Sequence, residues 1–277
     1  MKFKSIFILF NVILVFAFAF IFFMPFAFLG AAYSMTFWSK NWPLFLFFVA
    51  VITGFNAFFM SNWKMFRLLE SEDWDALATL LEDRVYKRKH YDRRTVRLLV
   101  NTCLLKGDMA AIERVEASLR EHKPSALRRD AVLFGAARLL KNDAEASVTF
   151  LSEFADAKGV ENPAWIVFYY GFALVLSKRP VDASPRLEAS LSAKDPVLAL
   201  LSAYVLGTLC AAASKPAEKK RLIEISERKR LLIADRYKTG SKGVSRWAHE
   251  IERAKSEIHI VILSKILDEA STWLLKP

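Results

Sequence analysis

Acidic residues are missing from the first 64 positions, whose only charges are Lys2, Lys4, Lys40 and Lys64. The intervals between those lysines, 5–39 and 41–63, are almost wholly apolar and crowded with phenylalanine. A helix of that composition has no hydrated face, which excludes an ordinary surface helix of a soluble domain. Each interval is longer than the roughly 20 apolar residues that span a bilayer. Few polar residues interrupt the spans, among them Asn11, Thr53 and Asn56, and that scarcity argues against a transport path. Cysteine is also scarce. Cys103 and Cys210 stand far apart in apolar helical patterns, so a structural disulfide is disfavoured and two buried thiols of a reducing compartment are expected. No HExxH, CxxC, phosphate-binding glycine loop or nucleophile elbow occurs, and His90, His122, His249 and His259 have no metal-ligand spacing. The chain therefore reads as a non-enzyme with no cofactor and no small-molecule substrate.

The amino terminus, Met-Lys-Phe-Lys, resembles a basic leader, but the apolar run behind it far exceeds the about 7–15 residues of a signal-peptide core. A second apolar segment follows at once. Two spanning helices are predicted, at about 6–29 and 42–63, because only a helix satisfies its own backbone groups in lipid. Tyr33, Trp38 and Trp42 near the turn and Trp63 at the far end suit the membrane interface, and Pro25 or Gly30 should kink or end the first span. Lys40 stands alone between the spans. Two lysines precede the first span, and Lys64, Arg67 and the cluster Arg84, Lys87, Arg88, Lys89, Arg93 and Arg94 follow the second, so both termini are expected to be cytoplasmic. Residues 65–277 hold 36 basic and 29 acidic residues, a net +7, which is a moderate excess that disfavours nucleic acid as partner.

Beyond Arg67 the pattern becomes amphipathic with a helical period. Turn signals recur at 106–108, 141–143, 178–180 and 214–216, and Gly135, Gly171 and Gly207 stand 36 residues apart inside apolar helices. After each turn a small residue precedes an apolar one: Ala76/Leu80, Ala111/Val115, Ala146/Phe150 and Ala183/Leu187. A fixed period in this range indicates stacked helix pairs that bury their apolar faces against one another. The period and the unit built on Trp165, Gly171, Ala183, Leu187 and Pro196 resemble the tetratricopeptide repeat. Other units depart from that pattern, with Leu99 where the glycine is expected and Lys219 where the alanine is.

The expected fold is all-α, in three parts: a transmembrane hairpin (1–64), a tetratricopeptide-like α-solenoid (65–238) and a long capping helix (239–277). No Gly/Ser linker intervenes at the first junction, so a rigid join is expected. The resemblance implies a concave face lined by first helices, carrying Trp165, Phe168, Phe172, Tyr204, Thr208, Arg93 and Arg97. Those aromatics either anchor a partner helix or peptide, or lie as core beneath the apolar stripe of the C-terminal helix. The implied function is a membrane-anchored scaffold for other, membrane-associated proteins at the cytoplasmic face of a bacterial inner membrane. The alternative is a tethered binder of anionic lipid or nucleic acid through residues 84–94.

Overall fold

The computed structural model describes residues 3–141, 143–237 and 240–275, and all regular structure among them is helical. The chain divides into two compact units, residues 1–80 and 81–277.

In the first unit, α1 (Phe3–Leu29) and α2 (Ala31–Glu70) are both long and apolar enough to cross a membrane. Gly30 separates them at φ 80°, ψ 166°, a conformation that side-chain-bearing residues avoid. The first apolar helix thus ends at Gly30, and Pro25 stays inside α1. The connection between the two apolar segments is itself helical: α2 starts at Ala31 and bends at Asn41 (φ −112°), two residues before Pro43, whose missing N–H breaks the ladder there. The two helices run antiparallel. Phe7 stacks on Phe59 at 4.6 Å, Phe10 meets Phe55 at 4.3 Å and Phe22 lies on Trp38 at 4.8 Å. Asn56 donates to Asn11 Oδ1 at 2.8 Å, which pairs the two amides across the apolar contact. The outer faces carry exposed apolar side chains such as Phe16 and Phe28.

The remaining helices are α3 (Trp74–Glu82), continued by a π turn at Asp83–Lys87, then α4 (Arg93–Lys106), α5 (Met109–His122), α6 (Pro124–Arg129), α7 (Ala131–Leu140), α8 (Ala144–Ala155), α9 (Pro163–Leu176) and α10 (Pro180–Ser190). They are followed by α11 (Pro196–Val205), extended by a π turn at Leu206–Cys210, and by α12 (Pro216–Tyr237), α13 (Gly240–Lys255), α14 (Ile258–Val261) and α15 (Ser264–Leu274). Asp92, Asp108, Asp143 and Asp195 cap α4, α5, α8 and α11 through carboxylate bonds to backbone N–H groups at 2.9–3.0 Å. Prolines open α6, α9, α10, α11 and α12, where an N–H would have no helical partner. The expected turns fall at Gly107, Lys178 and Ser214; Asn142 lies outside the described residues.

Within the second unit, helices pair as α4/α5, α7/α8, α9/α10 and α11/α12. The three spaced glycines sit at the pair contacts. A Cβ on Gly135 would stand 2.4 Å from Leu151 Cδ2, one on Gly171 2.9 Å from Leu187 Cγ, and one on Gly207 2.7 Å from Ser226 Cβ. The period therefore records where one helix touches the next. Second helices are also laced to one another by ion pairs: Arg114–Glu82 (3.3 Å), Arg120–Glu153 (2.7 Å), Arg186–Asp156 (3.0 Å) and Arg221–Glu188 (2.6 Å). Such exposed pairs are each worth less than about 1 kcal/mol, so stability rests on the buried faces, with Leu99, Leu119, Phe134, Leu151 and Leu187 at their centre.

The helical pattern breaks at two more places. The stretch between the expected turns at 106–108 and 141–143 has a further break at Asp130, between α6 and α7, where the carboxylate is held by two arginines. The predicted single capping helix is three segments, with Glu257 extended (φ −92°, ψ 118°) between α13 and α14. The run 258–263 is apolar on every side, and one straight helix would leave half of it in water. The turns let His259, Ile260 and Leu263 all be buried.

Candidate functional site

The aromatic side chains expected on the first-helix face lie largely inside the protein. Trp165, Phe168 and Phe172 of α9 are buried, and Phe168 stacks on Phe172. Trp165 and Tyr169 lie against His259 of the C-terminal segment, in which α14 packs on α7, and α13 and α15 pack on α11 and α12. Of the two readings left open by the sequence, the structure thus has these aromatics as core.

One clamp joins α9 to α14. The Tyr169 hydroxyl donates to the His259 carbonyl at 2.7 Å and meets the same residue's Nδ1 at 3.1 Å. The hydroxyl has a single proton, so its bond to the carbonyl leaves Nδ1–H as donor in the second contact. Trp165 meets the His259 ring edge-on at 5.1 Å and donates its indole N–H to Asp195, the cap of α11. Burial, then the nearby Arg97 charge, pushes the His259 pKa down to about 4. Burial raises that of Tyr169. The imidazole is neutral at physiological pH and acts as a structural hydrogen-bonding group.

Arg97 belongs to a neighbouring charged cluster. It donates to Asp130 at 2.8 Å and to Glu161 at 3.2 Å, Arg93 also pairs with Glu161, and Arg129 grips Asp130 at 2.6 Å. Asp130 is fully buried, and two guanidiniums supply the charge that makes this tolerable. A cavity of about 60 Å³ lies among Arg97, Asn101, Asp130, Glu161 and His259. Arg93 and Arg97 are thus engaged in ion pairs within the second helical unit.

A second clamp holds α15. Tyr204 donates to Glu269 at 3.1 Å and packs on Trp273 at 5.7 Å. The Trp273 indole donates to Glu227, and Arg230 lies 5.8 Å from its ring centre. Thr208 bonds to the Tyr204 carbonyl of its own helix. Tyr169, Asp130, Glu161 and Glu227 were not singled out in the sequence, because each meets a partner 33 to 90 residues away along the chain.

The basic stretch 84–94 is a π turn, a loop and the start of α4. Lys87 and Arg88 share Asp83 and stay mostly in solvent, and Lys89 and Arg94 are exposed. Among the described residues no group of three or more His, Cys, Asp or Glu side chains could hold a metal ion.

Comparison with known proteins places this architecture in a class. Residues 111–276, which run from α5 past α15, match the family described as "Uncharacterised Treponema protein", and the chain belongs to that family. Over 237 residues it is 28% identical to an "Uncharacterized protein" of Treponema pallidum (strain Nichols), an alignment covering 83% of this chain and 74% of that protein. No solved structure matches the chain.

Proposed function

We propose that this protein is a membrane-anchored scaffold of tetratricopeptide-like helical repeats that holds partner proteins at the cytoplasmic face of a bacterial inner membrane. The observation that carries the reading is the close glycine contact repeated every 36 residues, at Gly135, Gly171 and Gly207, which supports reading the second unit as an array of like helix pairs. Such arrays have extended surfaces that work by binding rather than by chemistry. Two apolar helices with lipid-compatible outer faces support the anchor, and the lysine and arginine count supports the orientation. Because the C-terminal segment covers α9 and α11, the surface left for partners is the outer, charged side of the second helices.

A second reading, contact of residues 84–94 with anionic lipid, draws support from the exposure of Lys87, Arg88, Lys89 and Arg94. The scaffold reading is tested with the full chain in its own membranes. It predicts resistance to alkaline carbonate extraction, protection of the C-terminal part from external protease, and discrete protein adducts from a photocrosslinker at Lys219 on α12. Extraction by carbonate, or crosslinking to lipid alone, refutes it.

A further inference from the structure

Lys194, Lys229 and Arg236 converge on one groove of about 550 Å³, between the α10–α11 turn, the first turn of α11 and the last turns of α12. On α12, Lys229, Leu232, Ile233 and Arg236 follow at steps of three, one and three and so share a face. Lys194 enters from the turn. The floor is apolar, with Pro196 and Ala199 beside Ile233, and Leu232 is 60% exposed there.

The charge in this groove is unbalanced. Elsewhere on α12, Arg221 pairs with Glu188 and Glu218 and Arg230 with Glu227, whereas Arg228 lies exposed outside the groove. Among the described residues no ion pair joins Lys194, Lys229 or Arg236 to a carboxylate. Asp235 is the one acid in the lining. Asp195, next to Lys194, is committed to capping α11 and to the Trp165 indole. Three cations against one carboxylate leave a net +2. Burial, then the Arg236 charge, pulls the Lys229 pKa down, as an ammonium does when it lacks a counter-ion. A phosphomonoester brings about −1.5 to −2 charge at neutral pH and three strong acceptor oxygens. The groove also falls in the size range of about 300–1,000 Å³ typical of small-ligand sites.

We propose that this groove binds a phosphomonoester, its phosphate held by Lys194, Lys229 and Arg236 and its organic substituent lying on Leu232 and Ile233. The site stands independently of the scaffold reading. The same chemistry is offered by a soluble phosphate ester and by the headgroup of a phosphatidic acid.

The test uses the full chain in nanodiscs of neutral lipid, titrated with phenyl phosphate and inorganic phosphate at constant ionic strength, and in parallel nanodiscs containing phosphatidic acid. Saturable binding of phenyl phosphate identifies a site for soluble esters. A saturable response confined to the phosphatidic acid nanodiscs identifies a lipid headgroup site. In either case Lys229→Gln and Arg236→Gln should each weaken binding about tenfold, as expected when one charge-assisted contact is lost. Lys229→Arg should retain it, and Lys219→Gln, at the other end of α12, should leave it unchanged. These side chains are half-buried or exposed, and far-UV circular dichroism verifies folding. Absence of saturation in both arms, an equal response to sodium chloride, or undiminished binding by the Lys229→Gln/Arg236→Gln double variant overturns the proposal.

Discussion

Gly207→Ala isolates the contact on which the last helix pair depends. In an exposed helix this exchange would stabilise by roughly 1 kcal/mol, because alanine loses less backbone entropy. Here the added methyl would stand 2.7 Å from Ser226 Cβ and 2.9 Å from its Oγ. Ser226 Cβ is fixed to the α12 backbone and cannot rotate away. Ordinary contact starts at 3.4 Å, so the π turn at 206–210 and α12 must separate by about 0.7 Å. A gap of that size forfeits a quarter to a half of the dispersion attraction of the atoms lining it, and overpacking of this kind costs about 1–3 kcal/mol. After the propensity gain, a net loss of up to about 2 kcal/mol remains, which lowers the melting temperature by up to roughly 4–8 °C in a domain of this size. Ser226→Gly removes the opposing atoms, so the double variant should recover at least 1 kcal/mol relative to additivity. Thermal and urea unfolding of the detergent-solubilised chain, followed by circular dichroism, measure all four corners of the cycle. A rise in melting temperature for Gly207→Ala, or strict additivity, refutes the close-contact account of the 36-residue period.

Three further outcomes are expected. His259 has a folded-state pKa of about 4, below its ordinary 6.5, so its stabilising contribution is fully present above pH 6.5 and is lost as pH falls towards 4. The loss should total about 3 kcal/mol across that window, and urea midpoints measured from pH 7 to 4 should fall more steeply for the wild type than for His259→Gln. Asp130→Asn leaves Arg97 and Arg129 without their shared anion; because both guanidiniums are about a quarter to a third exposed, a destabilisation of about 2 kcal/mol is expected from urea unfolding, and an unchanged midpoint contradicts the assigned cluster. Burial pushes the thiols of Cys103 and Cys210 up to about 11, so maleimide at pH 7 should modify neither in the folded chain and both in urea, as counted by mass spectrometry.

Much of the helical fold was legible because it follows from local chemistry. The turn between α4 and α5 falls where expected, since Gly107 and Asp108 stop one helix and cap the next through their immediate neighbours. The breaks at Asp130 and Glu257 were not legible. Nothing near Asp130 in sequence shows that Arg97, 33 residues earlier, will draw its carboxylate inward. Likewise the run 258–263 announces that it must be buried but not that it must turn twice to do so.

Composition alone made the first 64 residues legible as long apolar helices, of a length and apolarity that could cross a membrane. The 36-residue glycine period alone determined that the rest would be paired helices. Tertiary packing decided which partner each apolar face found. Trp165 and Tyr204 carry the same side chains whether a foreign helix or the chain's own tail lies on them, and burial rewards both equally per unit area. Only the folded chain, by bringing His259 to Tyr169 and Trp273 to Tyr204 across 90 and 69 residues of sequence, selects between them.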